Sequence, residues 1–158
     1  MNKKFITLLL SILLVAACNQ SNDSNDSNEI EEPIYSVPSI KRNPAPEGAS
    51  VYFINPEANA IVSTPVKVKF GVIGMEIVPS GQNTPHTGHH HIIINADLPD
   101  MNFPIPADEN YVHFGDGSSE TELNLAQGEH TLQLILGDYL HVPHSPPVYS
   151  EKIIITVE

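Results

Sequence analysis

The stretch Val66-Lys67-Val68-Lys69-Phe70-Gly71-Val72 alternates without a break. Val66, Val68, Phe70 and Val72 share one side of an extended chain, and Lys67, Lys69 and Gly71 share the other. A helix cannot gather those four residues on one face. The same period recurs along the chain. His130, Leu132, Leu134 and Leu136 alternate with Thr131, Gln133, Ile135 and Gly137. Ile153, Ile155 and Val157 form the inner positions of a last strand over 148–157, and Leu123 and Leu125 those of a strand near 121–125. Val51 to Ile54 opens the series and stops at Asn55-Pro56. Turns rich in Gly, Pro, Asn and Asp separate these runs, and no segment has a convincing helical period. Short strands within about 110 residues, 49–158, predict one all-β domain, an immunoglobulin-like antiparallel β-sandwich.

The segment Leu125-Ala126-Gln127-Gly128-Glu129-His130-Thr131-Leu132 carries that expectation further. It resembles the corner at which such domains open strand F with Gly-x-Tyr, with His130 in the place of the tyrosine. A ring there is expected to bond nearby backbone rather than a metal. The register then makes 50–55, 64–73, 89–95, 119–126, 129–137 and 148–157 the A, B, C, E, F and G strands. The connections 74–88 and 138–147 fall at the same end of the sandwich. His86 and the start of His89-His90-His91 are therefore expected near Asp138, His141 and His144.

Alternation divides the histidine triplet. His89, His91, Ile93 and Asn95 share one face, and His90, Ile92 and Ile94 share the other. Asn95 marks the first face as the wetter one, so His90 points into the core. His89 and His91 project together as an H-x-H pair able to reach one ion. His113, in Tyr111-Val112-His113-Phe114, is a third ligand if that segment pairs beside the triplet's strand. His86, His141 and His144 are loop alternatives, with Asp138 near them. The folded domain has no thiol, and imidazole donors suit a divalent transition metal, Cu(II) or Zn(II), with Ni(II) also compatible. Binding is expected to fail as histidines protonate below about pH 6. The other reading makes the histidines structural, capping backbone or lining a contact surface for an envelope protein or glycan. No Gly-x-Ser-x-Gly or His-Glu-x-x-His motif occurs, and Asp116-Gly117-Ser118-Ser119 reads as a turn. No enzyme is expected.

The N-terminal region bears on location. Lys3 and Lys4 precede an apolar stretch from Phe5 to Ala17, too short for a comfortable membrane span. Val15-Ala16-Ala17-Cys18 resembles the lipobox of bacterial lipoproteins, which implies a signal peptide over 1–17 and lipidation of Cys18. Asn-Gln rather than Asp follows, and by the same resemblance this favours the periplasmic face of the outer membrane in a Gram-negative host. In a Gram-positive host the anchor would be the outer leaflet of the cytoplasmic membrane. Residues 18–48, with their Ser/Asn/Asp repeat and four prolines, read as a flexible tether. Losing Lys3 and Lys4 leaves 5 of the 7 basic residues against 19 acidic ones, a net charge near −14. Such a charge disfavours nucleic acid and anionic lipid headgroups. The lipid is thus the only membrane contact expected.

Four longer stretches carry a family likeness: GHHHIIINADLP, PIPADENYVHFGDGSSETELNL, GEHTLQLILGD and HVPHSPPVYSEKIIITV. Together they resemble a bacterial domain family known only as a domain of unknown function, number 4399 in its series, across about Val51 to Val157. The resemblance implies an exported Ig-like domain and brings no activity with it. Members commonly carry His where this chain has Tyr111.

Overall fold

The computed structural model describes residues 40–158, and the signal peptide, Cys18 and the tether up to residue 39 lie outside them. The alternating segment at 66–72 forms β3, Val66–Ile73, with Val66, Val68 and Phe70 all buried. It sits between β1, Ser50–Asn55, and β7, Glu120–Leu123, both antiparallel to it. A second sheet faces this one. Its centre is β5, Thr87–Ile94, paired antiparallel with β8, Gly128–Gly137, which pairs antiparallel with β9, Ile153–Val157. The expected A-B-E and G-F-C groupings are therefore present, and the described residues contain no helix.

Three short strands complete the second sheet. β2, Ile61–Val62, runs parallel to β9, and β4, Glu76–Ile77, runs parallel to β5 at Thr87 and Gly88. The sandwich is mixed at these margins rather than purely antiparallel. β6, Tyr111–His113, pairs antiparallel with β5 and sets His113 opposite His91. The expected strand at 148–157 is regular only from Ile153. Before that, the Ser150 hydroxyl replaces a backbone partner by accepting from Leu134 N at 2.9 Å. A polar side chain inside the ladder breaks the pairing while keeping its donor satisfied.

The two inner faces meet in one core. Val51, Val66, Val68, Phe70 and Leu123 pack against Ile92, Ile94, Leu132, Leu134, Leu136, Ile155 and Val157. His90 enters this core as expected, with its ring edge-on to Phe70 at 4.5 Å. Both its ring nitrogens are buried without a partner, and burial pushes the imidazole down to about 4. An unpartnered buried polar atom costs about 1–3 kcal/mol, and Leu fills similar volume without that cost. His90→Leu is therefore expected to stabilise the chain by about 1–3 kcal/mol in urea unfolding at pH 7. A loss of stability would show that this ring has a partner in solution.

The outer face of the second sheet departs from expectation. Every residue of β5 is buried, so the face carrying Asn95 is not a wet one where His89, His91 and Ile93 lie. Ile93 and Ile135 form a second cluster with Ile105, backed by Ala96, Leu98, Met101 and Tyr111. The chain between β5 and β6 folds back over the sheet and covers it. Asn95 itself is exposed in a left-handed turn (φ 54°), and its side chain accepts from Thr131 N and meets His130 Nδ1 at 2.9 Å. Residues 40–48, read as tether, also have fixed partners. Arg42 Nε donates to Pro143 O at 2.8 Å and its Nη2 donates to His144 O. Ser145 N donates to Asn43 O at 2.8 Å. Residues 42–45 are thus held against the segment 143–145.

Candidate metal centre

Two neighbouring strands build the site. On β5, residues i and i+2 point the same way, so His89 and His91 stand side by side with Nε2 atoms 3.1 Å apart. β6 lies alongside and places His113 across from His91. The ring centroids of His89 and His113, and of His91 and His113, are both 4.9 Å apart. One ligand nitrogen from each of the three falls within 4.8 Å of the others. Two nitrogens bound at about 2.0 Å to a single tetrahedral ion would be about 3.3 Å apart, close to the His89–His91 spacing. The three side chains could hold one metal ion.

The cluster is dry on one side and open on the other. His89 is 1% exposed and His91 0%, whereas His113 is at the exposed edge. Burial pushes the His89 imidazole down to about 3, with His141 and His113 adding to the effect. Burial, then His89 and His113, takes His91 down to about 2. His113 is lowered mainly by burial and by His141, with the Asp116 carboxylate working against them. These three rings are therefore neutral at pH 7, the protonation state in which imidazole binds a metal. Without an ion, the His89–His91 contact joins one N–H donor to one bare nitrogen. His91 Nδ1 has no protein partner in either tautomer.

Glycines make room for this packing. A Cβ on Gly115 would collide with the His113 ring. A Cβ on Gly137 would lie 3.0 Å from His91 Nε2 and 3.2 Å from His141 Cα. The turn after β8 can therefore pass directly over the histidines. Asp138 shapes that turn by accepting from Leu140 N at 2.9 Å and from Val142 N at 3.0 Å through Oδ1.

Of the six histidines singled out in the sequence as metal candidates, four share this place: His89, His91, His113 and, from the loop, His141. The His141 ring lies 4.7 Å from that of His113 and 5.0 Å from that of His89. The other two loop candidates do different things. His144 is buried and donates from Nε2 to Thr87 O at 3.0 Å, tying its loop to the start of β5. His86 is exposed in a hollow lined by Asn43, Pro44, Asn83, Pro85 and Thr87. His130 bonds Ala126 O at 2.9 Å, the corner role. Asp116 accepts from Ser118 N and Oγ in a turn that Gly117 completes at φ 80°.

No match was found among curated proteins or among solved structures. The sequence profile of the family described as Domain of unknown function (DUF4399) matches residues 68–158, a span that includes all four clustered histidines, and the chain belongs to that family.

Proposed function

We propose that this domain binds one divalent transition metal, Cu(II) or Zn(II), through His89, His91 and His113, and sequesters or delivers it at the cell envelope. One observation carries the reading. Three neutral imidazoles from two paired strands offer nitrogens within 4.8 Å of one another. Burial of His89 and His91 disfavours the charge they would otherwise take up, and a cation restores an electrostatic partner to the cluster. The all-nitrogen donor set suits Zn(II) and Cu(II) better than harder or softer ions. The proposal includes attachment through a lipid on Cys18, a location outside the cytoplasm, and no catalytic role. The Cys18 lipobox and the apolar stretch before it support the first two.

The 3.1 Å His89–His91 contact supports a second reading, a structural histidine cluster within an envelope interaction module for a protein or glycan. Calorimetric titration of the full chain, stripped of metal, with ZnCl2 and CuCl2 separates the two. One equivalent bound with a Kd tighter than about 1 μM is expected. Absence of stoichiometric binding at that level overturns the metal reading.

A further inference from the structure

The three-histidine reading leaves the fourth clustered ring without a task. We infer that His141 closes the site as a fourth imidazole ligand, giving a tetrahedral four-nitrogen centre that favours Zn(II); this rests on the metal-binding reading above.

The backbone at His141 is held from several directions. Its N–H donates to Asp138 O at 2.8 Å, and its C=O accepts from Ile105 N at 2.8 Å. Asp138 Oδ1 fixes the residues on either side, Leu140 and Val142. His141 is left-handed at φ 67°, a conformation that non-glycine residues adopt only where the surrounding contacts hold them there. The turn and the covering chain thus converge on one residue and aim it at the sheet. Gly137 beneath it permits the approach, because a Cβ there would press on both His91 and His141.

The six distances among the four rings discriminate between geometries. With metal–nitrogen bonds of about 2.0 Å, each imidazole centroid lies about 3.2 Å from the ion, so a tetrahedron places all six pairs about 5.2 Å apart. A square plane places four pairs at about 4.5 Å and two trans pairs at about 6.4 Å. Five of the pairs here are between 4.7 and 5.0 Å, and His91–His141 is 6.1 Å. The pair opposite His91–His141 is His89–His113, which a square plane would also stretch. It measures 4.9 Å. The rings therefore describe a tetrahedron opened along one edge, His91–His141, nearer the preference of Zn(II) than the square plane of Cu(II) or Ni(II). Turning the half-buried His141 ring about its own side-chain bonds is the adjustment left to make.

A four-histidine shell has no open position. Closed shells typify zinc that is held, whereas catalytic zinc keeps a site for water or substrate.

The test uses the full chain with Zn(II), and with Co(II) as a spectroscopic substitute. The wild type is expected to show the intense visible bands of tetrahedral Co(II), unchanged by added azide. His141→Ala is expected to lower Zn(II) affinity at least about tenfold. Its Co(II) bands should weaken as water enters the shell, and azide or free imidazole should then change them. His89→Ala serves as the control that removes a ligand of the three-histidine reading. If His89→Ala abolishes binding while His141→Ala matches wild type in affinity and spectrum, closure is wrong and the metal reading stands. Azide-sensitive wild-type bands would likewise overturn closure alone. A wild type that binds neither ion overturns both.

Discussion

The metal-free chain is expected to unfold cooperatively as the pH falls from about 5.5 to about 3.5. The cause is the triplet His89-His90-His91. In the unfolded chain each imidazole titrates at its ordinary value of 6.5, while in the folded chain burial takes them down to about 3, 4 and 2. Below pH 6.5 the unfolded state therefore binds protons that the folded state refuses. The stability tied to these groups is complete above 6.5 and is lost as pH drops toward the folded values. Each such histidine removes about 1.4 kcal/mol per pH unit, so three together remove about 4 kcal/mol per unit. Two units of pH therefore remove about 8 kcal/mol, enough to unfold a domain in the lower half of the usual range of about 5–15 kcal/mol. Far-ultraviolet circular dichroism against pH, combined with urea melts at several pH values, measures the slope. A chain still folded at pH 3.5, with stability flat between pH 7 and 5, would contradict the burial of these rings.

This changes what acid should do to metal binding. From the sequence, loss is expected below about pH 6, where free histidine protonates. In the folded site His89 and His91 remain neutral there, so no proton must leave them for an ion to bind. Acid acts instead on the balance between folded and unfolded chain, and a bound ion shifts that balance toward the folded state. Saturating Zn(II) is accordingly expected to move the acid midpoint downward.

Much of the architecture follows from local pattern. The alternation at Val66–Val72 and His130–Leu136 fixes which residues face the core, and Leu125-Ala126-Gln127-Gly128-Glu129-His130 marks the corner between the sheets. The same parity argument puts His89 and His91 on one face and His90 on the other. It fails on wetness. Asn95 shares the face of His89 and His91, yet it lies beyond the end of β5, where the covering chain has already turned away. The useful signal is the pair of unbroken apolar runs on neighbouring strands, Ile92-Ile93-Ile94 on β5 and Leu134-Ile135-Leu136 on β8, since strands apolar at consecutive positions are covered on both sides. No local pattern shows that the chain over 96–110 supplies that cover. Its key bond, Ile105 N to His141 O, joins residues whose proximity is purely tertiary. For the same reason the sequence does not tell His141 from His144: both are histidines of one loop, and only the folded turn places His141 against His89 and His113 while His144 bonds Thr87 O.

Replacing His89 and His91 together by Val is expected to make the chain more stable while removing its affinity for metal. Val suits a strand interior and is close to His in volume, so the outer face keeps its packing. The substitution discards the 3.1 Å His–His hydrogen bond, worth about 1 kcal/mol. It also removes the unpartnered His91 Nδ1, which costs about 1–3 kcal/mol. At pH 7 the balance favours Val by roughly 1 kcal/mol. At pH 5 two of the three proton penalties are gone as well, which raises the gain to roughly 5 kcal/mol. Zn(II) affinity should fall by more than about 100-fold, because two ligands are lost at once. The pairing of these outcomes matters more than either alone. A site kept for binding holds side chains that fold less well than their apolar replacements, the trade expected where function opposes stability. A structural cluster predicts the reverse: the double variant would melt at lower temperature, and zinc would bind it as well or as poorly as it binds the wild type. Urea unfolding at pH 7 and pH 5, beside a zinc competition titration on the same preparations, measures both quantities.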